Sequence, residues 1–366
     1  LPRLGGIVND LTEIVFLAGR LGLDDDGWPV TVLMDCLERR GVLARVICLS
    51  RGSYPGGDHR LLEFPALGSR WLKTLSIRRL QLEAGFEHPC VLHVLHEPMA
   101  AVGLALADSW RLPYVQTVDD FGILERGLKL SRRWFRGLIA TSPELADELV
   151  QGLGFPADRI SLIAPGVAPA PAAPRSIDRK IPVIGTAGRS REKSGFGVFL
   201  EAARQVLGTG RDAELLIASQ GQDALDLRRH AQALRIADRV SVADFAVIGP
   251  RFWTVLDIYC QPSLVPSTGR TLALALSEGV PTIATQVKGL RGLIDHGSTG
   301  LVVPPGSPES LAAAIIELLD HPDQAALIGS RGQEATRARF DVEIEADLLA
   351  SLYRRHAALP ETHAPR

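Results

Sequence analysis

Gly269, Arg270 and Thr271 are the residues of this chain best suited to chemistry by type and place. They open an apolar helix, RTLALALS, directly behind an apolar strand and a proline-flanked turn. Backbone N–H groups at such a start point outward at the positive end of the helix dipole, which suits a phosphate. Parallel sheets hold phosphates on glycine loops of this kind at their strand ends. Two cations, Arg189 and Lys193, follow the strand that opens the second half, in GRSREKSGF. Arg forks onto two phosphate oxygens, and Lys supplies a point charge. The competing readings are a tightly turned helix start that binds nothing and a solvated basic turn.

The elements that must position these residues alternate strand and helix. Residues 13–18 (EIVFLA), 44–49 (ARVICL), 91–95, 114–118, 138–141 and 161–164 read as short strands. Helices at 30–40, up to 107 and at 143–152 separate them, the spacing of βαβ units in a parallel sheet. Five prolines in residues 164–182 (APGVAPAPAAPRSIDRKIP) predict a semi-stiff linker. Strands at 183–186, 214–218, 240–242, 258–260 and 282–284, with helices at 197–207 and 225–234, then make a second doubly wound sheet. A helix at 308–319 has Ser307 as its N-cap and Pro308 in its first turn, and a last helix runs from 342 to 357.

At 366 residues the chain suits two domains of similar size. Its 46% apolar and 22% charged residues are a globular composition, and a net charge of −2 gives no global field for nucleic acid. Cys36, Cys48, Cys90 and Cys260 are scattered, with no CxxC pair, and read as reduced core thiols of a cytoplasmic protein. No apolar run approaches the ~20 residues of a membrane span. No signal peptide is legible, and Leu1 reads as a trimmed start that leaves a lost leader open. No GxGxxG opens either half, which argues against a nicotinamide dehydrogenase.

Several motifs in this order resemble retaining, family-4-type glycosyltransferases, also described as glycosyl transferases group 1. They are GTAGRSREKSGF (185–196), DIYCQPSL (257–264), TGRTLALALSEGVPTIAT (268–285) and GSTGLVVPPG (297–306). YVQTVDDF (114–121) and ATSPELADEL (140–149) match more loosely, and the resemblance covers residues 13–340. It implies an α/β GT-B fold, two Rossmann-like doubly wound domains facing across a cleft. The division is then 1–165 for an acceptor-side domain, 166–182 for the linker, 183–340 for a donor-binding domain and 341–366 for a C-terminal helix and tail packing back toward the first. It further implies transfer of a sugar from a nucleotide-sugar to a glycan or lipid-linked acceptor, without metal or cofactor.

By that resemblance Arg189 and Lys193 compensate the diphosphate leaving group, with Gly269, Arg270 and Thr271 holding phosphate. Lys193 stands one position nearer the Arg than is usual, with Ser194 in its place. Gly22 and Gly27 let backbone approach the donor. Asp119 takes the place of a histidine near the acceptor, either orienting a hydroxyl as a weak base or capping its loop. His96 and Glu97, in LHVLHEP with His93, lie at a strand end on the acceptor side. Their spacing is not that of a helical metal pair, and the triplet Asp24, Asp25 and Asp26 reads as a solvated turn.

Two departures stand out. The family's two glutamates, one for the donor sugar and one for the ribose, align with Pro266 and Leu274. Glu278 lies one helical turn deeper, and the turn at 219–222 reads SQGQ where a GxG turn is usual. The alternative is therefore a non-catalytic GT-B protein that binds a partner protein, glycan or nucleotide. Residues 67–82 and 126–136 are basic and aromatic with no acid, which reads either as solvated faces whose aromatics anchor to the core or as a peripheral position on an anionic inner membrane face.

Overall fold

The computed structural model describes residues 11–21, 30–52, 58–69, 73–83, 91–131, 133–167, 180–188, 191–219, 223–249 and 251–357. They fall into two compact units. Residues up to 166, together with those from 342 onward, form the first, and residues 167–341 the second.

The first unit holds seven strands: β1 (Thr12–Arg20), β2 (Val42–Ser50), β3 (Leu61–Glu63), β4 (Val91–Val94), β5 (Tyr114–Val118), β6 (Phe135–Ala140) and β7 (Ile160–Leu162). All pair in parallel, in the order β3-β2-β1-β4-β5-β6-β7. A parallel sheet is buried on both faces, so its strands read as apolar runs rather than alternations. Strand order reverses between β1 and β4, and the carboxyl ends flanking such a reversal are where open α/β sheets bind ligands. On one face lie Val15, Leu17, Leu92, Val94, Leu106 and Leu138. The helix Pro143–Gln151 starts on Ser142, whose hydroxyl accepts from Leu145 N–H.

The other face is covered by the helices Val30–Glu38 and Val342–Ala357, the latter lying against β1 and β4. Arg39 and Arg40 clasp Glu343, and Arg40 also pairs with Asp347. Beneath that clasp, Phe16, His93 and Tyr353 pack ring against ring. His93 Nδ1 lies 2.6 Å from the Tyr353 hydroxyl and Nε2 2.7 Å from Thr117 Oγ1. Burial, with a smaller contribution from nearby His96, pushes the His93 imidazole down to about 3. His93 is therefore a neutral core residue, and the expectation that it sits with His96 at the strand end is corrected: it precedes that end and points into the sheet's covered face.

The second unit holds β8 (Val183–Gly188), β9 (Glu214–Ser219), β10 (Val240–Asp244), β11 (Ile258–Gln261), β12 (Thr282–Thr285) and β13 (Leu301–Val303). Their order, again all parallel, is β10-β9-β8-β11-β12-β13. The reversal falls between β8 and β11. One face is cored by Ile184, Phe199, Ile217, Cys260 and Ile315, the other by Trp253, Tyr259, Leu272 and Leu276. Cys36, Cys48 and Cys260 are buried free thiols, while Cys90 lies outside the described residues.

Elements without a counterpart in the sequence reading include β3, the helix Lys73–Glu83, β13 and the helix Pro322–Phe340, besides short helices of four or five residues such as Ile123–Arg126 and Arg251–Val255. The helix Pro322–Phe340 seats the helix Arg270–Ser277. It does so through small residues: a Cβ on Gly329 would stand 2.5 Å from the Gly279 carbonyl oxygen, and one on Gly332 2.8 Å from Leu276 Cδ2. Gln333 then donates to the Ser277 carbonyl at 2.7 Å. Among the described residues no helix is long and apolar enough to cross a membrane.

Candidate functional site

In the second unit, the loop after β11 and the turn after β8 meet at the reversal of strand order. Leu264 N–H donates to the Lys193 carbonyl at 3.0 Å. Gly195, which starts the helix Phe196–Gly208, has φ +74° and sits so close to the other segment that a Cβ would lie 1.9 Å from the Pro262 carbonyl oxygen. Only glycine fits there on both counts. The turn carrying Lys193 and the glycine loop are thus one fastened unit, and the Lys193 side chain is exposed on it.

Gly269 caps the helix Arg270–Ser277 with φ +73°, and its carbonyl accepts from Ala273 N–H at 2.8 Å. Arg270 and Thr271 in the first turn are half-buried. The strand end behind the loop is braced by its own polar side chains. Tyr259 donates to Gln261, Gln261 Nε2 donates to Ser263 Oγ at 2.9 Å, and Thr285 Oγ1 donates to the Ser263 carbonyl at 2.8 Å. Pro266 is exposed at the loop's crest, and Leu274 is half-buried against the core. Glu278 caps the opposite end of the same helix, about 12 Å of rise from Arg270. It stands at the far end of the helix from the loop.

Arg189, Gly22, Gly27 and Asp24 to Asp26 lie outside the described residues, as do residues 220–222 of the SQGQ turn. Among the described residues no group of three His, Cys, Asp or Glu side chains is placed to hold a metal.

In the first unit, His96 and Glu97 follow β4, and Asp119 follows β5. Both positions are carboxyl ends beside the reversal of strand order. The structure brings His96 and Asp119 together, with Nδ1 3.2 Å from Oδ2 and both side chains largely covered. Glu97 instead faces Arg126 at 3.5 Å, and Arg126 donates to Asp120 at 2.8 Å. Burial alone would raise the Asp120 carboxyl, but hydrogen bonds from Arg126 and Gly122 N–H outweigh it and hold it below its ordinary value. Sequence reasoning singled out His96, Glu97 and Asp119 but missed Arg126 as the cation of this edge. The signal was its place at the head of the basic segment 126–136, directly after Glu125.

Trp71, the aromatic of the first basic segment, lies outside the described residues. Trp134 and Phe135 are buried in the core, and Arg136 is half-buried. In the helix Lys73–Glu83, Ile77 and Leu80 are buried, while Leu75, Arg78 and Arg79 are exposed.

Comparison with known proteins follows the two units. A family model described as Glycosyltransferase Family 4 matches residues 22–170. Another, described as Glycosyl transferases group 1, matches residues 181–321. An alpha-D-kanosaminyltransferase of Streptomyces kanamyceticus is 28% identical over 175 residues, 47% of this chain and 45% of that protein. A 2-deoxystreptamine glucosyltransferase of the same organism is 25% identical over 280 residues, 73% of this chain and 69% of that protein. The chain thus matches just under half the length of the first relative and just over two thirds of the second. Among solved structures, Anabaena Alr3699/HepE in complex with UDP and glucose superposes with a TM-score of 0.75 at 18% identity, covering 93% of this chain and 99% of that one. A sucrose-phosphate synthase from Thermosynechococcus elongatus gives 0.71 at 19% identity, covering 94% and 98%. Both likenesses concern the two-domain α/β fold.

Proposed function

We propose, for a chain that belongs to the GT-B glycosyltransferases of the family 4 and group 1 type, that it moves a sugar from a nucleotide-sugar onto a glycan or lipid-linked acceptor. The observation that carries this reading is the junction of the second unit, where the Lys193 turn is fastened to the glycine-capped helix at the switch between β8 and β11. A diphosphate leaving group gains negative charge as the sugar departs. A fixed cation and outward N–H groups stabilise that state more than the bound donor. The proposal assigns Lys193 and Arg189 to the leaving diphosphate, and Gly269, Arg270 and Thr271 to its oxygens. The reaction is retaining and needs neither metal nor enzyme nucleophile; the departing phosphate accepts the acceptor's proton. UDP in the HepE complex and the lipopolysaccharide-core glycosyltransferases among the relatives support a nucleotide-sugar and a glycan as the two substrates.

Calorimetric titration with UDP, GDP, ADP, CDP and TDP, in EDTA, tests the donor side. One nucleotide is expected to bind, and Arg189→Ala and Lys193→Ala are each expected to weaken it about tenfold or more, the scale of a lost charge-assisted hydrogen bond. Unchanged affinity in either variant removes that residue from the site. No binding of any nucleotide would favour the non-catalytic reading, for which Leu274, packed on the core where a ribose clamp is expected, is the supporting observation.

On the acceptor side the proposal assigns the His96–Asp119 pair to the incoming hydroxyl, which it orients. Asp119→Asn keeps the shape and removes the charge that fixes the ring. It is expected to lower turnover about 100-fold, the lower range for a positioned acid–base group, with nucleotide affinity unchanged. Steady-state kinetics beside titration separates the two, and a parallel loss of nucleotide binding would contradict an acceptor-side role.

A further inference from the structure

The twenty residues from Ile258 to Ser277 contain no carboxylate. The two that bracket them are turned away from the loop. Asp257 accepts from Val183 N–H at 2.8 Å at the amino end of the strand, and Glu278 sits at the carboxyl end of the helix. Several polar side chains between are engaged with the protein itself: Gln261 with Tyr259 and Ser263, and Ser267 Oγ with Gly269 N–H, while Thr285 of the neighbouring strand donates to the Ser263 carbonyl. The exposed residues of this stretch are aliphatic. Leu264 is 41% and Val265 37% exposed, and Pro266 is exposed beside them. This lip runs straight into the glycine cap of the phosphate-type helix.

A fully hydroxylated hexose is recognised through acceptors for its O–H groups, which in binding sites are mostly carboxylates and amides. The lip offers none; it offers an apolar surface contiguous with N–H donors and a lysine. Apolar groups buried against it gain from leaving water, whereas hydroxyls pressed on it lose hydrogen bonds they made to water. We infer that the donor is a nucleoside diphosphate-deoxysugar, whose methyl or methylene face packs on Leu264, Val265 and Pro266 while its diphosphate takes the glycine loop. The inference rests on the donor-site reading above and deepens it.

Matched pairs at constant nucleotide test it: UDP-glucose against UDP-6-deoxyglucose, and dTDP-glucose against dTDP-6-deoxyglucose, titrated into the full chain. The 6-deoxy member of the pair whose nucleotide binds is expected to bind at least tenfold tighter, within the ~10² that an apolar surface achieves against an added hydroxyl. Pro266→Glu, on an exposed crest where folding is not at stake, is expected to shrink or reverse that ratio while the parent nucleoside diphosphate binds as before. Equal or tighter binding of the glucose member, with the nucleotide bound, overturns this inference and leaves the donor site standing. No binding of any nucleotide or nucleotide-sugar overturns the donor site and the inference with it.

Discussion

Gly195→Ala is expected to abolish measurable nucleotide binding, although residue 195 offers no side chain to any ligand. Its φ of +74° costs an alanine about 1–2 kcal/mol by itself. The larger effect is steric: the new Cβ would fall 1.9 Å from the Pro262 carbonyl oxygen, a backbone atom with nowhere to retreat. Either the turn after β8 or the loop after β11 must move, and the 3.0 Å bond from Leu264 N–H to the Lys193 carbonyl breaks with it. The cation and the N–H groups then no longer converge, and misplacement of about 1 Å in such a site costs about 100-fold. Gly210→Ala is the control, since its φ is +85° with nothing within 4 Å of the new Cβ. It is expected to lose about 1 kcal/mol of stability and no affinity. Titration and thermal melts of both variants decide it. Wild-type binding by Gly195→Ala would mean that the two segments do not act as one site.

Acidification is expected to destabilise the first unit well before its carboxylates titrate, because of His93. Its folded value, about 3, lies below the ordinary imidazole value of about 6.5. The unfolded chain therefore takes up a proton that the folded chain refuses. The stabilisation is complete above about pH 6.5 and falls by about 1.4 kcal/mol per unit as pH drops towards 3. His356, also pushed down by burial and by the neighbouring Arg355 and Arg136, acts in the same direction. Glu343 and Asp347, held low by Arg40, begin to cost stability only as pH falls into the ordinary carboxylate range of about 4, so the window from 6.5 to 4.5 isolates the imidazoles. Denaturant unfolding across that window should show the slope, and His93→Gln should flatten it while lowering stability at pH 8. An identical slope in the variant would remove His93 as its source.

Much of this architecture was legible because a parallel sheet announces itself. Strands such as β1 and β11 are continuous apolar runs, and the caps at Ser142 and Ser307 mark their helices by residue type. The helix Pro322–Phe340 was not, because of its buried residues only Ile328 is a large apolar one, and the rest are Ala325, Gly329, Gly332, Gln333 and Thr336, which make no apolar stripe. β3 and β13, three residues each, were not read as strands. In the candidate site, residue types pointed to Lys193, Gly269, His96 and Asp119. Pairing of His96 with Asp119 needs the register of β4 against β5, which a linear reading does not hold. His93 misled for the same reason, since its distance along the chain from His96 says nothing of the face it takes.

The helix Val342–Ala357 completes the first sheet's covered face, yet it is made after the whole of the second unit. On the ribosome, residues 167–341 form a contiguous stretch that can close its sheet as it emerges. The first unit, begun earlier, must wait with the Phe16 and His93 face of its sheet uncovered until Tyr353 arrives. Order of synthesis and order of completion are thus reversed. The half that is begun first is the half that depends on a helix made after the other.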